Sequence, residues 1–381
     1  MSVPLYDLSP ALGVAAVGLV LALMPYLWFR HRHRDGGPAS RLRALTLLTL
    51  FLSFDLVLFG AYTRLSDSGL GCPDWPGCYG HASPVGARSA ITEAETVMPT
   101  GPVTHEKAWV EMAHRYAATA IGALIAILAA LSIVAARRGT VPVSPWWPLA
   151  TLVWIGVQGA FGALTVTMKL YPAIVTLHLL GGLVLLALLA VQFERYEPQP
   201  LTLSPSLRAG LIAVAALAVV QIALGGWVST NSAVLACKEF PTCQGAWWPE
   251  TDFAGGFVLQ RPLGGDGAGG WLPYQALTAI HMAHRVGAFV VLPALALLAW
   301  RLHARGGRAR SWAFAVAAIV LWQTASGLGN LLLGWPLASA VAHTAGSAAL
   351  VVVLAILLVR SRSGVRRALP AWRLGAGAAA S

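Results

Sequence analysis

Nine long apolar segments, separated by short polar stretches and two longer polar loops, make up most of this chain. Continuous apolar runs of about 18 or more residues are typical of helices that span a bilayer. The runs lie at residues 11–29, 44–62, 109–135, 147–167, 173–193, 208–228, 275–300, 311–333 and 338–359. The pattern therefore predicts an all-α integral membrane protein with nine spans.

Composition and charge agree with this class and argue against nucleic-acid binding. Of the 381 residues, 57% are hydrophobic and only 11% are charged. The net charge of +11 comes from arginine clusters at 30–43, 137–138, 301–310 and beyond residue 360, which follow alternate spans. The positive-inside rule then predicts a multi-pass protein of the bacterial plasma membrane, with the N-terminus outside and the C-terminus in the cytoplasm. The first span follows a segment without basic residues, so we interpret it as an anchor helix and not as a cleaved signal peptide.

Two long loops, at about 63–108 and 229–274, face outside in this orientation and contain all four cysteines. The cysteines occur as CPDWPGC and CKEFPTC. Because the outer side of a bacterial plasma membrane is oxidising, we expect two local disulfides, Cys72–Cys78 and Cys237–Cys243. The spacing differs from the CxxC redox motif, which favours a structural role for both pairs over a redox role.

An internal repeat divides the chain into two halves. The stretch GAYTRLSDSGLGCPDWPGCYG (60–80) aligns with GGWVSTNSAVLACKEFPTCQG (225–245) at an offset of 165, and the same offset relates His178 to His343. The repeat predicts two parallel four-helix bundles related by a pseudo-two-fold axis along the membrane normal. The predicted parts are an extra N-terminal helix with a basic inner loop (1–42), a first bundle (43–195), a second bundle (207–361) and a cytoplasmic tail (362–381).

Five histidines lie inside predicted spans, where ionisable side chains are candidates for function. His114 and His178 lie at similar depth on two helices that start outside, and His284 and His343 repeat this arrangement. Two level imidazoles on facing helices can ligate a haem iron from both sides, so both pairs are candidate ligand pairs. The fifth, His281, lies one turn from His284. A single histidine in a membrane helix is more often a hydrogen-bond donor in helix packing.

Three arginines near the outer ends of spans are candidates for contact with a haem, together with His281. Arg115 and Arg285 directly follow the histidines His114 and His284. A guanidinium pairs well with carboxylates, so haem propionates are the expected partners of both, and of Arg64. The alternative is that these side chains only reach towards the interface.

The TRLSDSGLGCPDWPGC stretch, EMAHR (111–115), HMAHR (281–285) and the two later histidines resemble the haem A synthase family over residues 43 to about 361. The resemblance implies an oxidoreductase that converts the C8 methyl of haem O to a formyl group, giving haem A for terminal oxidases. It implies that His284 and His343 ligate a haem b cofactor and that the first histidine pair ligates the substrate haem. Haem O synthase (the protohaem farnesyltransferase) and a terminal oxidase or its assembly factors are the expected partners. The family core has eight helices, so the first span is a departure from it.

Glu111 is the residue that distinguishes the two halves. It precedes His114 by three residues and so lies on the same helix face. The resemblance implies that it is the essential acid, and a carboxylate there would stabilise positive charge on the oxidised methyl carbon or orient a water. The second half has His281 at this position, which predicts one catalytic and one electron-carrying half. The alternative is a salt bridge with Arg115 at i+4.

Two other functions fit parts of the pattern. A di-haem b-type cytochrome that exchanges electrons with quinol would also use four histidines, but it does not need Glu111 in the first half alone. A permease built from parallel repeats would need polar groups at the membrane midplane. The polar residues of this chain instead cluster towards the outer ends of the spans.

Overall fold

The computed structural model describes residues 7–367 of the chain, and the side chains of residues 7–361. Within these residues it contains α-helices, one short 3-10 helix and no β-strand. The helices are α1 (Ser9–Arg32), α2 (Pro38–Leu65), α3 (Arg88–Val97), α4 (His105–Arg137), α5 (Trp146–Thr167), α6 (Pro172–Tyr196), α7 (Pro205–Thr230), α8 (Phe253–Gly256), α9 (Tyr274–Arg305), α10 (Gly307–Leu332) and α11 (Leu337–Arg367).

Nine of these helices, all except α3 and α8, are long and apolar enough to cross a membrane. The prediction of an all-α integral membrane protein with nine spans is therefore confirmed. Part of the predicted tail over 362–381 lies outside the described residues. The helices extend past the apolar runs into their polar flanking residues. In α4, for example, the Thr104 side chain caps the helix by accepting a hydrogen bond from the backbone N–H of Lys107.

The helix α3 lies inside the first long loop and was not predicted. It has only ten residues and carries both polar and apolar side chains, so no long apolar run marks it. Its single fully buried side chain, Ile91, packs with the disulfide loop and the N-terminal end of α4. The first long loop is therefore partly helical and packs on the ends of the membrane-spanning helices.

Eight spans form two rings of four helices. In the first ring, α2 and α5 each contact both α4 and α6. In the second ring, α7 and α10 each contact both α9 and α11. Each ring has its own apolar core, with Leu124 and Leu186 buried in the first and Leu211 and Leu295 in the second. The connectivity is the same in both rings, while the pseudo-two-fold axis and the exact domain bounds stay predictions.

The two rings contact each other through α2 and α6 on one side and α7 and α11 on the other. At one end of this interface the buried Glu194 carboxylate accepts two hydrogen bonds from Arg360, both 2.8 Å long. At the other end the hydroxyl groups of Thr176 and Thr230 lie 3.2 Å apart. Polar contacts of this kind add directional specificity where lipid-like apolar surfaces alone would not.

The extra helix α1 packs against α4, on the outside of the first ring. A Cβ atom added to Gly18 would lie only 2.5 Å from the Thr119 methyl carbon, so α1 and α4 approach closely because this residue is glycine. The helix therefore covers the first ring without entering it.

The predicted disulfides Cys72–Cys78 and Cys237–Cys243 are both present, and all four cysteines are buried. In each loop the second cysteine exchanges backbone hydrogen bonds with the residue three positions later, His81 or Ala246. The two loops therefore have the same closed turn at the same end of their respective rings.

The predicted orientation can be tested with single thiols on opposite sides. Ser89 on α3 and Ser40 near the start of α2 are both exposed, and no native cysteine is free. With the N-terminus outside, Ser89→Cys should react with a membrane-impermeant maleimide in intact cells. Ser40→Cys should react only after the membrane is permeabilised. The reverse labelling pattern would contradict the orientation.

Candidate active site

His284 on α9 and His343 on α11 face each other across the second ring. Their ring centroids are 6.5 Å apart and the ring planes make an angle of 82°. A bond from a metal to an imidazole nitrogen is about 2.0–2.1 Å, and the ring centre lies roughly 1 Å further on. Two axial imidazoles on one iron therefore have centroids about 6–6.5 Å apart, so this pair fits bis-histidine ligation of a haem.

The Nδ1 atoms of this pair have hydrogen-bond partners on the two remaining helices of the ring. The Gln221 amide of α7 lies 3.0 Å from Nδ1 of His284. The Ser326 hydroxyl of α10 lies 2.9 Å from Nδ1 of His343. A metal-bound histidine usually makes such a bond with its other ring nitrogen, which fixes the ring orientation. Sequence analysis missed both residues, although each is a polar side chain in an apolar span.

The pair in the first ring, His114 on α4 and His178 on α6, occupies the corresponding two helices. The Phe59 ring meets His114 edge-on, with 5.8 Å between the ring centroids. Nδ1 of His178 is buried and has no hydrogen-bond partner among the described residues. The first pair therefore has a similar placement on the backbone but a less polar environment.

A glycine of a neighbouring helix lies against each of these four histidines. A Cβ atom added at the glycine would lie 3.0 Å or 3.4 Å from the imidazole. The pairs are Gly60 with His114, Gly162 with His178, Gly225 with His284 and Gly327 with His343. Gly60 and Gly225 thus leave room for the rings between closely spaced helices, whereas a Cβ at Gly162 or Gly327 would make an ordinary contact.

Glu111 is buried, with 4% of its surface exposed, and both of its carboxylate oxygens have partners. One oxygen accepts a 2.8 Å hydrogen bond from the backbone N–H of Cys72. The other forms a salt bridge with Arg115, as the alternative interpretation predicted. Glu111 therefore joins α4 to the first disulfide loop, and its catalytic role stays a prediction.

His281 has a related position in the second half. Its Nδ1 lies 3.0 Å from the backbone oxygen of Ala233, in the 3-10 helix Ala233–Ala236. The ring therefore contacts the outer loop, one helical turn away from His284.

The three candidate arginines donate hydrogen bonds to backbone carbonyl groups. Arg115 binds the carbonyl of Asp74 at 2.9 Å, and Arg285 binds that of Thr242 at 2.9 Å, so each holds the disulfide loop of its own half. Arg64 binds the last turn of α7 at 3.0 Å. Loop carbonyls with little access to water thus take up part of the guanidinium donors, and contact of these arginines with haem propionates stays a prediction.

The fold and the opposed histidines together define a class of protein: a polytopic membrane protein with two four-helix rings and a histidine pair in each. The sequence profile of COX15-CtaA, described as Cytochrome oxidase assembly protein, matches residues 43–355. This match covers most of the chain and leaves out α1, and the chain belongs to this family.

Relatives in several bacteria agree with this assignment. A protein named Heme A synthase from Shewanella oneidensis is 38% identical over 315 residues, which cover 81% of this chain and 93% of the relative. Proteins of the same name from Caulobacter vibrioides and Halalkalibacterium halodurans are each 28% identical, over 81% and 79% of this chain and 92% and 91% of their own lengths.

The role of Arg285 predicts how the second disulfide responds to reductant. Arg285→Gln removes hydrogen bonds to at least two loop carbonyls, at 2.7 and 2.9 Å. At about 1 kcal/mol each, their loss should make opening of the loop, and reduction of Cys237–Cys243 by dithiothreitol, roughly 30-fold faster. Alkylation and mass measurement give the rate. Arg301→Gln, which changes an exposed arginine on the same helix, is the control and should leave the rate unchanged. Equal rates in all three proteins would contradict the role of Arg285.

Proposed function

We propose that this chain is a haem A synthase that oxidises the C8 methyl of haem O to a formyl group, giving haem A for terminal oxidases. The proposal rests on the two sites that each contain a pair of histidines. Only the first site has an acidic side chain one helical turn away from a histidine. The names of the relatives support the same activity.

In the second half, His284 and His343 would hold a resident haem b through its iron. Their 6.5 Å centroid separation supports this assignment. Bound haem b supplies one-electron transfer. The protein holds the two imidazoles in place through Gln221 and Ser326, and it has no acid at the position of His281.

In the first half, His114 and His178 bind and orient the substrate haem. Glu111 lies one turn above His114, and the Cys72 N–H and Arg115 hold its carboxylate in place. A negative charge that is already in position before the reaction stabilises developing positive charge without reorganisation. The contacts of Glu111 therefore support an electrostatic role beside the reacting methyl group.

The expected partners follow from the chemistry. Haem O synthase supplies the substrate, and a terminal oxidase or its assembly factors receive haem A. The bacterial plasma membrane, with the disulfide loops outside, is the proposed location.

The cytochrome alternative differs from this proposal in its pigments. Haem O or haem A beside haem b in the purified protein supports the synthase, whereas haem b alone supports a di-haem cytochrome and no haem supports the permease. Extraction of the pigments and separation by mass make this distinction. The permease is also less favoured because all nine described spans are continuous helices, whereas transporter sites are typically formed by broken ones.

The assignment of the haem b ligands predicts a difference between neighbouring histidines. His284→Ala or His343→Ala removes an axial ligand and should deplete most of the tightly bound haem b. His281→Ala removes only a contact to the loop and should retain it. The pyridine haemochrome spectrum of the purified variants measures haem b. Equal loss from His281→Ala and His284→Ala would contradict the choice of ligand.

The role of Glu111 predicts a defect in turnover and not in binding. Glu111→Gln keeps the shape and removes the charge, so haem b and haem O should remain bound while formation of haem A falls by about 100-fold. The measurement is the ratio of haem O to haem A in membranes of cells that co-express haem O synthase. His114→Ala or His178→Ala should instead weaken retention of the substrate haem.

Glu194→Gln is a matched control, because Glu194 is also a buried acid paired with an arginine but lies at the opposite end of the helices. It should leave the haem ratio unchanged. If Glu111→Gln formed near-normal amounts of haem A, Glu111 would have no catalytic role and would only contact Cys72 and Arg115. If Arg115→Gln lost formation of haem A to the same extent and also lost bound haem O, the Glu111–Arg115 pair would have a structural role as well.

A further inference from the structure

The four imidazoles differ in what their Nδ1 atoms contact. In the second ring, Gln221 and Ser326 each lie within 3.0 Å of a histidine Nδ1. In the first ring, no described side chain forms such a bond with His114, and Nδ1 of His178 is buried without a partner. The two candidate sites therefore differ in the groups that hold the ligands, although their helices pack alike.

The aligned sequences explain this difference. At the offset of 165 residues that superimposes the two cysteine loops, Gln221 corresponds to Leu56 and Ser326 corresponds to Phe161. At both positions the side chain in the second ring can form hydrogen bonds, and the side chain in the first ring cannot. The first ring does keep Gln158, but its amide donates to the backbone oxygen of His178, at 2.9 Å, and not to the ring.

We propose that Gln221 and Ser326 are positioning residues that make the second pair a permanent haem site, and that Leu56 and Phe161 make the first pair an exchangeable one. The inference rests on the proposed function, because it takes both pairs as haem ligands. An enzyme must retain its cofactor through many turnovers but release its product after each one. Hydrogen bonds that hold the histidines of the second ring, and are missing in the first ring, meet both needs.

Ser326 and Gln323 both contact Nδ1 of His343. The Ser326 hydroxyl donates to the backbone oxygen of Trp322 at 2.7 Å and lies 2.9 Å from this nitrogen, and one end of the Gln323 side-chain amide lies 2.8 Å from the same nitrogen. When the Ser326 hydroxyl accepts from Nδ1–H, Nε2 is left without a proton and is able to bind a metal. A hydrogen bond donated by Nδ1 also makes Nε2 more basic, which strengthens its bond to ferric iron.

Gln221 limits the rotation of the His284 ring. Its amide nitrogen lies 3.0 Å from Nδ1 of His284 and 3.0 Å from the backbone oxygen of the same residue. A half turn of the amide would let its oxygen accept from Nδ1–H, which is the state that leaves Nε2 free for a metal, but it would lose the bond to the backbone oxygen. The ring is thus held in one orientation before a haem binds, which lowers the entropic cost of binding.

The first test removes the support from the second pair. The full-length protein is purified with its haems, and the transfer of haem b to excess apomyoglobin is followed by absorbance. Ser326→Ala should release haem b about 10- to 100-fold faster than wild type, and the reduction potential of this haem should rise. Ser326→Thr keeps the hydroxyl and should restore both values. Thr324→Val is the matched control, because the Thr324 hydroxyl binds only the carbonyl of Val320 on its own helix.

The second test adds support to the first pair. Leu56→Gln combined with Phe161→Ser should slow the release of the haem bound there by about ten-fold, with no change in haem b. An unchanged release rate in this double variant, or equal release of haem b from Ser326→Ala and wild type, would overturn the inference. If purified wild type neither contains haem O or haem A nor takes up added haem O, the proposed function itself fails. Binding of haem O by the wild type therefore separates the two failures.

Discussion

The close contact between a glycine and a histidine on adjacent helices is the constraint on which both rings depend. An imidazole inside a membrane must face protein and not lipid, since lipid offers no hydrogen bonds. Where the helices approach most closely, a Cβ atom would force the ring or a helix to shift, and glycine avoids this. Gly60 and Gly225 supply this space for His114 and His284, at equal distances of 3.0 Å from an added Cβ. The positions of the histidine pairs follow from this packing.

The outer loops depend on a second shared contact, between an arginine and loop carbonyls. Each loop is closed by a disulfide, and a guanidinium from the helix below binds its backbone. The loops are thereby held above the histidine pairs. The two halves differ beside this contact. In the first half Glu111 accepts a hydrogen bond from the Cys72 N–H, and in the second half His281 contacts Ala233. One backbone arrangement thus presents a fixed charge in one half and an imidazole in the other.

Two similar rings can therefore serve different purposes. The helices that carry the histidines occupy equivalent places in both rings, so each ring can present a pair of imidazoles. The second ring surrounds its pair with hydrogen-bonding side chains, and the first ring surrounds its pair with apolar ones and one nearby acid. A division between a retained cofactor and a substrate that is bound, changed and released needs only these few differences in side chains.

The sequence by itself determined the nine helices, the two disulfides and the positions of the candidate ligands. These follow from long apolar runs and from short local spacings, which act over a few turns of one helix. Only the tertiary structure decided the partners of Arg115 and Arg285, and only it brought Gln221 to His284, which is 63 residues away along the chain. The sequence shows only which groups can pair. Which groups do pair depends on the distances between helices, and these are set by packing.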